Sequence, residues 1–168
     1  MQFFCYHRDR PGSTPLRSRM VEEHWAYMDR FGESLIARGP TFADDETLTG
    51  SVHVIELPDP AAARAFAFDE PCCQSGAYRD VLVRRTRWQG PGSTATAGFL
   101  GLGFVDPEPY DALPAPQRDL IGFGALLSDD GATLLGAAVL AATEPAARDC
   151  LTGFGAVEVH RWERGGRR

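Results

Sequence analysis

The sequence predicts an α+β fold built from two related half-domains, and three observations lead there. The stretch from Gly39, GPTFADDETLTGSVHVIELPDPAAAR, returns from Gly124 as GALLSDDGATLLGAAVLAATEPAAR, and VLVRRTRW at 81–88 returns as VEVHRW at 157–162. A unit seen only twice is not a solenoid, because stacked arrays need at least about three units to bury a continuous core. It is expected to pair with its own copy instead. Strand-like and helix-like segments alternate within each copy, the pattern of sheets with helices packed on one face. The 168 residues suffice for one compact unit of two halves. The expected architecture is therefore a tandem of ferredoxin-like β-α-β-β-α-β repeats forming an intramolecular dimeric α+β barrel, a pseudo-dimer. The halves fall at 1–89 and 97–168, joined by the turn-rich linker 90–96, GPGSTAT with its leading glycine at 90.

Residues 2–8, QFFCYHR, are rich in aromatics and precede Pro11-Gly12, which reads as a first strand. Ser13-Thr14-Pro15 offers a cap and a proline suited to a first helical turn, and opens a helix expected to run to about Arg38, where Gly39-Pro40 stops it. Along it Leu16, Met20, His24, Met28, Phe31 and Leu35 recur at spacings of four and three, one apolar stripe interrupted by a histidine. Residues 49–57 read as a strand, 59–68 as a helix opened by Asp59-Pro60, and 78–88 as a further strand. The second half offers strands at 97–105, 120–127, 132–141 and 156–162, with a short helix at 144–151. It shortens two features of the first half. DPEPYDALPAPQR at 106–118, with four prolines, replaces the long helix, and Leu151-Thr152-Gly153-Phe154 replaces the acidic turn Asp69-Glu70-Pro71. An active site is expected in the first half.

Composition removes several classes of function. A net charge of -6 argues against nucleic-acid binding, which needs a basic face to neutralise phosphates. All 17 basic residues are arginine, so Schiff-base chemistry on lysine is excluded. Arg84, Arg87, Arg161 and the other arginines are expected to decorate solvent or the seam between halves. No apolar run approaches the ~18 residues of a membrane span, and MQFFCYHRDRPG lacks the basic and long apolar regions of a signal peptide. A cytoplasmic protein, monomeric or weakly homodimeric, is expected. Cys5, Cys72, Cys73 and Cys150 have neither disulfide-framework nor zinc-ligand spacing and read as buried or incidental thiols. GFLGLG at 98–103 has a superficial dinucleotide spacing but sits in an apolar strand-like run that leads into Asp106-Pro107. No cofactor and no metal are expected.

His24 on the apolar stripe is either a hydrogen-bonded core histidine or a proton shuttle, and as a shuttle it needs an acidic partner. The candidates are Asp44-Asp45, whose copy Asp129-Asp130 survives where His24 has no counterpart, and Glu70, which the second half lacks together with the His24 helix. Asp69 stands one residue earlier, and the two neighbours point different ways. In strands alternate residues share a face, so His7 lies with Phe3 and Cys5, and His53 with Ser51 and Ile55. His7, His53, Tyr27, Tyr78 and Asp69 are the candidate substrate-binding residues.

These residues occur in an ordered set: EEHWAYM around His24, then Gly39-Pro40, Gly50-Ser51, and EPCCQSGAY with Glu70, Pro71, Gly76 and Tyr78. In this order residues 1–88 resemble the YciI-like (YCII-related) domain family, with the second half resembling a degenerate copy. The resemblance implies a ferredoxin-like, dimeric α+β barrel fold and a catalytic His-acid pair, here His24 and, by position, Glu70. The acid before the proline is usually Asp in the family and is Glu70 in this chain. A family member is associated with dehydrochlorination of a chlorinated hydroxyquinol, which implies elimination, isomerisation or cyclisation on a small oxygenated, aromatic or polyketide-like substrate. Two other readings share the architecture: a cofactor-free oxygenase of a phenolic substrate, and a non-catalytic small-molecule-binding or interaction module.

Overall fold

The structure, a computed structural model, describes residues 1–90, 93–112 and 120–166. Contacts between Cα atoms divide it into two compact units: Met1–Val83 together with the stretch from Arg164, and Arg84–Glu163. Both are antiparallel sheets with few, short helices, an α+β fold. Of the expected linker, Pro91 and Gly92 lie outside the described residues.

In the first unit, strands β1 (Gln2–Asp9), β2 (Leu35–Phe42) and β3 (Leu48–Glu56) are ordered β1-β3-β2. Cys5 stands opposite His53 and His7 opposite Ser51. Paired residues share a face, so both histidines project from the side that carries Phe3, Cys5 and Ile55. On that face Phe3, Cys5 and Ile55 pack with Tyr27, Met28, Ala63, Phe66 and Ala67 from helices α2 (Val21–Asp29) and α3 (Pro60–Phe68). The histidines thus sit at the polar end of an apolar helix-on-sheet core.

The single helix expected from Ser13 to Arg38 is corrected. Helix α1 (Thr14–Arg19) ends at Met20, α2 ends at Asp29, a 3-10 turn spans Gly32–Ser34, and β2 begins at Leu35. Met20 leaves helical geometry at φ -92°, ψ 5°, and Gly32 takes a positive φ of 36°, a conformation that favours glycine. The apolar spacing that suggested one stripe is shared between two surfaces. Leu16 and Met20 pack around Cys72, Ala77 and Tyr78, whereas Met28, Phe31 and Leu35 serve the main core. Gly39-Pro40 lies inside β2 and terminates no helix.

The second unit contains β5 (Ala97–Pro109), β6 (Leu120–Leu127), β7 (Thr133–Ala141) and β8 (Ala156–Glu163), with Arg85–Gln89 of β4 (Tyr78–Gln89) pairing with β6. The order is β4-β6-β7-β5-β8. Helix α5 (Glu144–Cys150) covers a core that includes Phe123, Val139, Ala147 and Leu151. Gly101 and Gly103 of GFLGLG make room where β5 meets the end of that helix: a Cβ on Gly101 would lie 2.7 Å from Val139 Cγ1 of β7 and 2.9 Å from Leu151 Cδ1. Strand β5 runs past its expected end to Pro109, and residues 113–118 of the stretch expected to replace the long helix lie outside the described residues.

The segments repeated in sequence carry the same local devices. Asp45 Oδ1 accepts from the Thr47 amide at 3.0 Å and Asp130 Oδ1 from the Ala132 amide at 3.0 Å. Asp59 caps α3 through the Ala62 amide and Thr143 caps α5 through the Ala146 amide, each just before a helix with proline in its first turn. No helix among the described residues is long and apolar enough to cross a membrane.

Candidate active site

The site is built where α3 ends. A helix leaves its last carbonyls without intrahelical partners, and here the residue four beyond Ala67 is Pro71, which has no N–H to donate. Glu70 turns out of the helix at φ -63°, ψ 131° and becomes the cap of a one-turn helix, α4 (Pro71–Gln74). Its Oε2 accepts from the Cys73 amide at 2.8 Å, and its Oε1 lies 2.8 Å from His24 Nδ1. The carboxyl is fully buried. Burial alone would favour its protonated form, but the hydrogen bond and charge of His24 and the amides of Cys72 and Cys73 outweigh that and hold it down at about 2. An ionised carboxylate only accepts, so the network assigns a proton to His24 Nδ1, and in the neutral ring the lone pair is then on Nε2. Among the described residues no protein group bonds that Nε2.

Two further histidines stand beside this pair. The His53 ring centre is 6.0 Å from that of His24 and 5.5 Å from that of His7. His7 Nε2 donates to the Ala67 carbonyl at 2.8 Å, which leaves its Nδ1 as an acceptor buried without a partner; His53 Nδ1 is likewise buried and unpartnered. Burial, together with the neighbouring His24 and Arg17, pushes His7 down to about 4 against the pull of the Ala67 bond and the Glu70 charge. Burial first, then the charges of His7, His24, Arg17 and Arg38, push His53 well below the usual imidazole value. Both are neutral at neutral pH.

Tyr78 on β4 packs against His7, ring centres 4.8 Å apart, and its hydroxyl is buried near the Cys72 thiol. Burial raises it well above the ordinary phenol value, against the pull of Arg17. Tyr27, three residues after His24 on α2, donates to the Phe66 carbonyl at 3.1 Å. Asp69 ends α3, and its charge acts on Tyr27. The carboxylate that meets His24 is thus Glu70, while Asp44 and Asp45 belong to the β2–β3 turn.

Arg17 is a residue the sequence reading did not select, and its placement corrects the expectation that arginines decorate solvent or the seam. It is 9% exposed, with Nη1 2.5 Å from Asp9 Oδ1, Nη2 donating to Ser51 Oγ at 2.7 Å, and its guanidinium carbon 5.0 Å from the Tyr78 ring centre. Its spacing from His24 gave no signal, because Arg17 lies on α1 and His24 on α2, two helices that the break at Met20 separates.

Cys72 brings its sulfur to the same spot: ligand atoms of His24, Glu70 and Cys72 all lie within 4.8 Å of one another. Burial, reinforced by the Glu70 charge, pushes this thiol up to about 12, so the protonated form prevails. Both Glu70 oxygens are already engaged. The trio reads as a hydrogen-bonded pair beside an inert thiol.

The chain is similar to several solved structures, among them these two. One is 5-chloro-2-hydroxyhydroquinone dehydrochlorinase (TftG) from Burkholderia phenoliruptrix AC1100 in complex with 2,5-dihydroxybenzoquinone, with 29% identity over 51% of this chain and 92% of that one, at a TM-score of 0.47. The other is a "putative monooxygenase" from Lactobacillus acidophilus NCFM, with 10% identity over 97% of this chain and 93% of that one, at a TM-score of 0.54; this likeness is one of fold. No curated protein matches the sequence. The family model of the YCII-related domain matches residues 1–88, more than half of the chain, and the chain belongs to that family.

Proposed function

We propose that this chain is a cofactor-independent enzyme that moves protons on a small oxygenated substrate, aromatic or polyketide-like, with His24 as general base and acid and Glu70 as its partner. The observation that carries this is the 2.8 Å bond between His24 Nδ1 and an ionised, fully buried Glu70, with Nε2 left free. Nε2 takes a proton from a carbon or hydroxyl acid of the substrate. The imidazolium that forms stands against the Glu70 carboxylate, which also keeps the ring in its reactive tautomer. The electron pair left on the substrate either expels a leaving group as a new double bond forms, an elimination, or is reprotonated by Nε2–H at another atom, an isomerisation or the closing step of a cyclisation. His53, His7, Tyr78 and Asp69 border this space and contact the substrate's oxygens, and Tyr27 closes its side. The two halves, as tandem repeats, close one intramolecular α+β barrel, and the second half serves as scaffold.

The test is proton exchange. Hydroxylated aromatics and 1,3-dicarbonyl compounds, incubated with the protein in D2O, are followed by NMR for catalysed deuterium incorporation or loss of a substituent, alongside oxygen consumption. Exchange or elimination without oxygen uptake supports the proposal. Stoichiometric oxygen uptake would move the reading to a cofactor-free oxygenase.

A further inference from the structure

Three side chains from outside it hold the last turn of α3: Gln74 of α4 donates to the Phe68 carbonyl at 2.6 Å, and two come from elements distant in sequence. Ala67, whose carbonyl has Pro71 at the position that would otherwise donate to it, receives the His7 Nε2–H from β1 at 2.8 Å. The Phe66 carbonyl receives the Tyr27 hydroxyl from α2 at 3.1 Å, and the same hydroxyl lies 3.4 Å from the Ala65 carbonyl. Tyr27 is three residues beyond His24 on α2, and Glu70 is three residues beyond Ala67, so both bonds fall within one turn of the His24–Glu70 contact. Tyr27 is 8% exposed and His7 is fully buried, which removes the competition of water for these carbonyls.

We propose that Tyr27 and His7 are positioning residues: they lock the end of α3 to α2 and to β1, and so fix the Glu70 carboxylate at His24 Nδ1. Only Asp69 and Glu70 stand between the end of α3 at Phe68 and the start of α4 at Pro71. The direction in which Glu70 leaves the helix is therefore set by where the α3 carbonyls are tied. Tyr27 links the helix bearing the base directly to the helix preceding the acid. His7 links the sheet to the carbonyl that Pro71 leaves without a donor. With both bonds in place the pair is preorganised, and substrate binding need not assemble it.

This inference rests on the reading of His24 and Glu70 as the working pair, and its test reads geometry and not turnover. In protein carrying 15N-histidine, the exchange rate of the His24 Nδ1–H is measured in wild type, Tyr27→Phe, His7→Leu, His7→Gln and, as a control for general destabilisation, Val139→Ala in the other unit. Tyr27→Phe removes one hydroxyl and is expected to speed exchange about tenfold, the factor that corresponds to one lost hydrogen bond. His7→Leu is expected to do the same, while His7→Gln, which keeps an N–H donor, stays closer to wild type and Val139→Ala leaves the rate unchanged. Wild-type exchange in a folded Tyr27→Phe overturns the clamp whatever turnover His24→Ala shows. Tenfold faster exchange in Val139→Ala overturns it equally, because general loosening would then explain the effect. Unchanged turnover in His24→Ala defeats the proton-transfer reading while the exchange rates still decide the clamp.

Discussion

Glu70 holds two roles at one position: it caps α4 and orients His24. Replacing it with Gln keeps a carbonyl oxygen for the cap but removes the charge that balances an imidazolium, so turnover should fall less than in His24→Ala, where no base remains. Acid lability follows from the same residues. Glu70 is held at about 2 in the fold against 4.5, so its contribution is fully present above pH 4.5 and is lost as pH falls toward 2. His7 is held at about 4 against 6.5, so the unfolded chain binds the extra proton and stability declines from pH 6.5 down to 4, by about 3 kcal/mol for this group on its own. Urea unfolding at pH 7, 5.5 and 4.5 checks the second effect apart from the first: the midpoint should drop across this range in wild type and drop less in His7→Gln. An equal drop in both would exclude His7 as the source. His24 and Glu70 were singled out because the second half lacks counterparts to both, but which of Asp69 and Glu70 meets the histidine was not legible, because backbone direction after α3 decides it. Arg17 was hidden for a similar reason. Its guanidinium is buried against Asp9, eight residues earlier, and Ser51 of β3, 34 residues on, and that second partner is fixed only by the fold.

The short elements carry the local signals most faithfully. Asp59-Pro60 and the Thr143-Glu144-Pro145 run announce their helices because cap and proline act within one turn, and both helices start there. The long helix failed as a reading because periodicity at four and three cannot distinguish one helix from two short ones whose apolar residues serve different cores. Met20 and Gly32 break it, and β2 takes the residues beyond. At the sheet–helix contact of the second unit, Gly101 faces Val139 and Leu151 too closely for a side chain. Gly101→Val should therefore overpack this contact and cost about 1–3 kcal/mol. Thermal unfolding measures it, and an unchanged midpoint would mean that α5 does not press on β5 as described.

Across the whole molecule, a net charge of -6 opposes association with a polyanion, and salt-sensitive binding to DNA or RNA at physiological ionic strength is not expected. A fluorescence anisotropy titration with labelled duplex and single strands checks this. At this scale the sequence similarity of the stretches from Gly39 and Gly124 suggested a repeat, and in both stretches an Asp turn precedes a helix with a side-chain cap and a proline in its first turn. We expect an experimental structure to superpose the two halves and to show them closing one barrel; two unlike, separate domains would contradict that. The proposed function rests on one claim, that proton transfer depends on His24. The measurement that tests it most directly is turnover of a substrate found by the deuterium screen, in wild type and in His24→Ala, with the folded fraction of each determined by circular dichroism and urea unfolding. The account predicts a fall of ~10²-fold or more per folded molecule. A well-folded His24→Ala protein with wild-type turnover would contradict it.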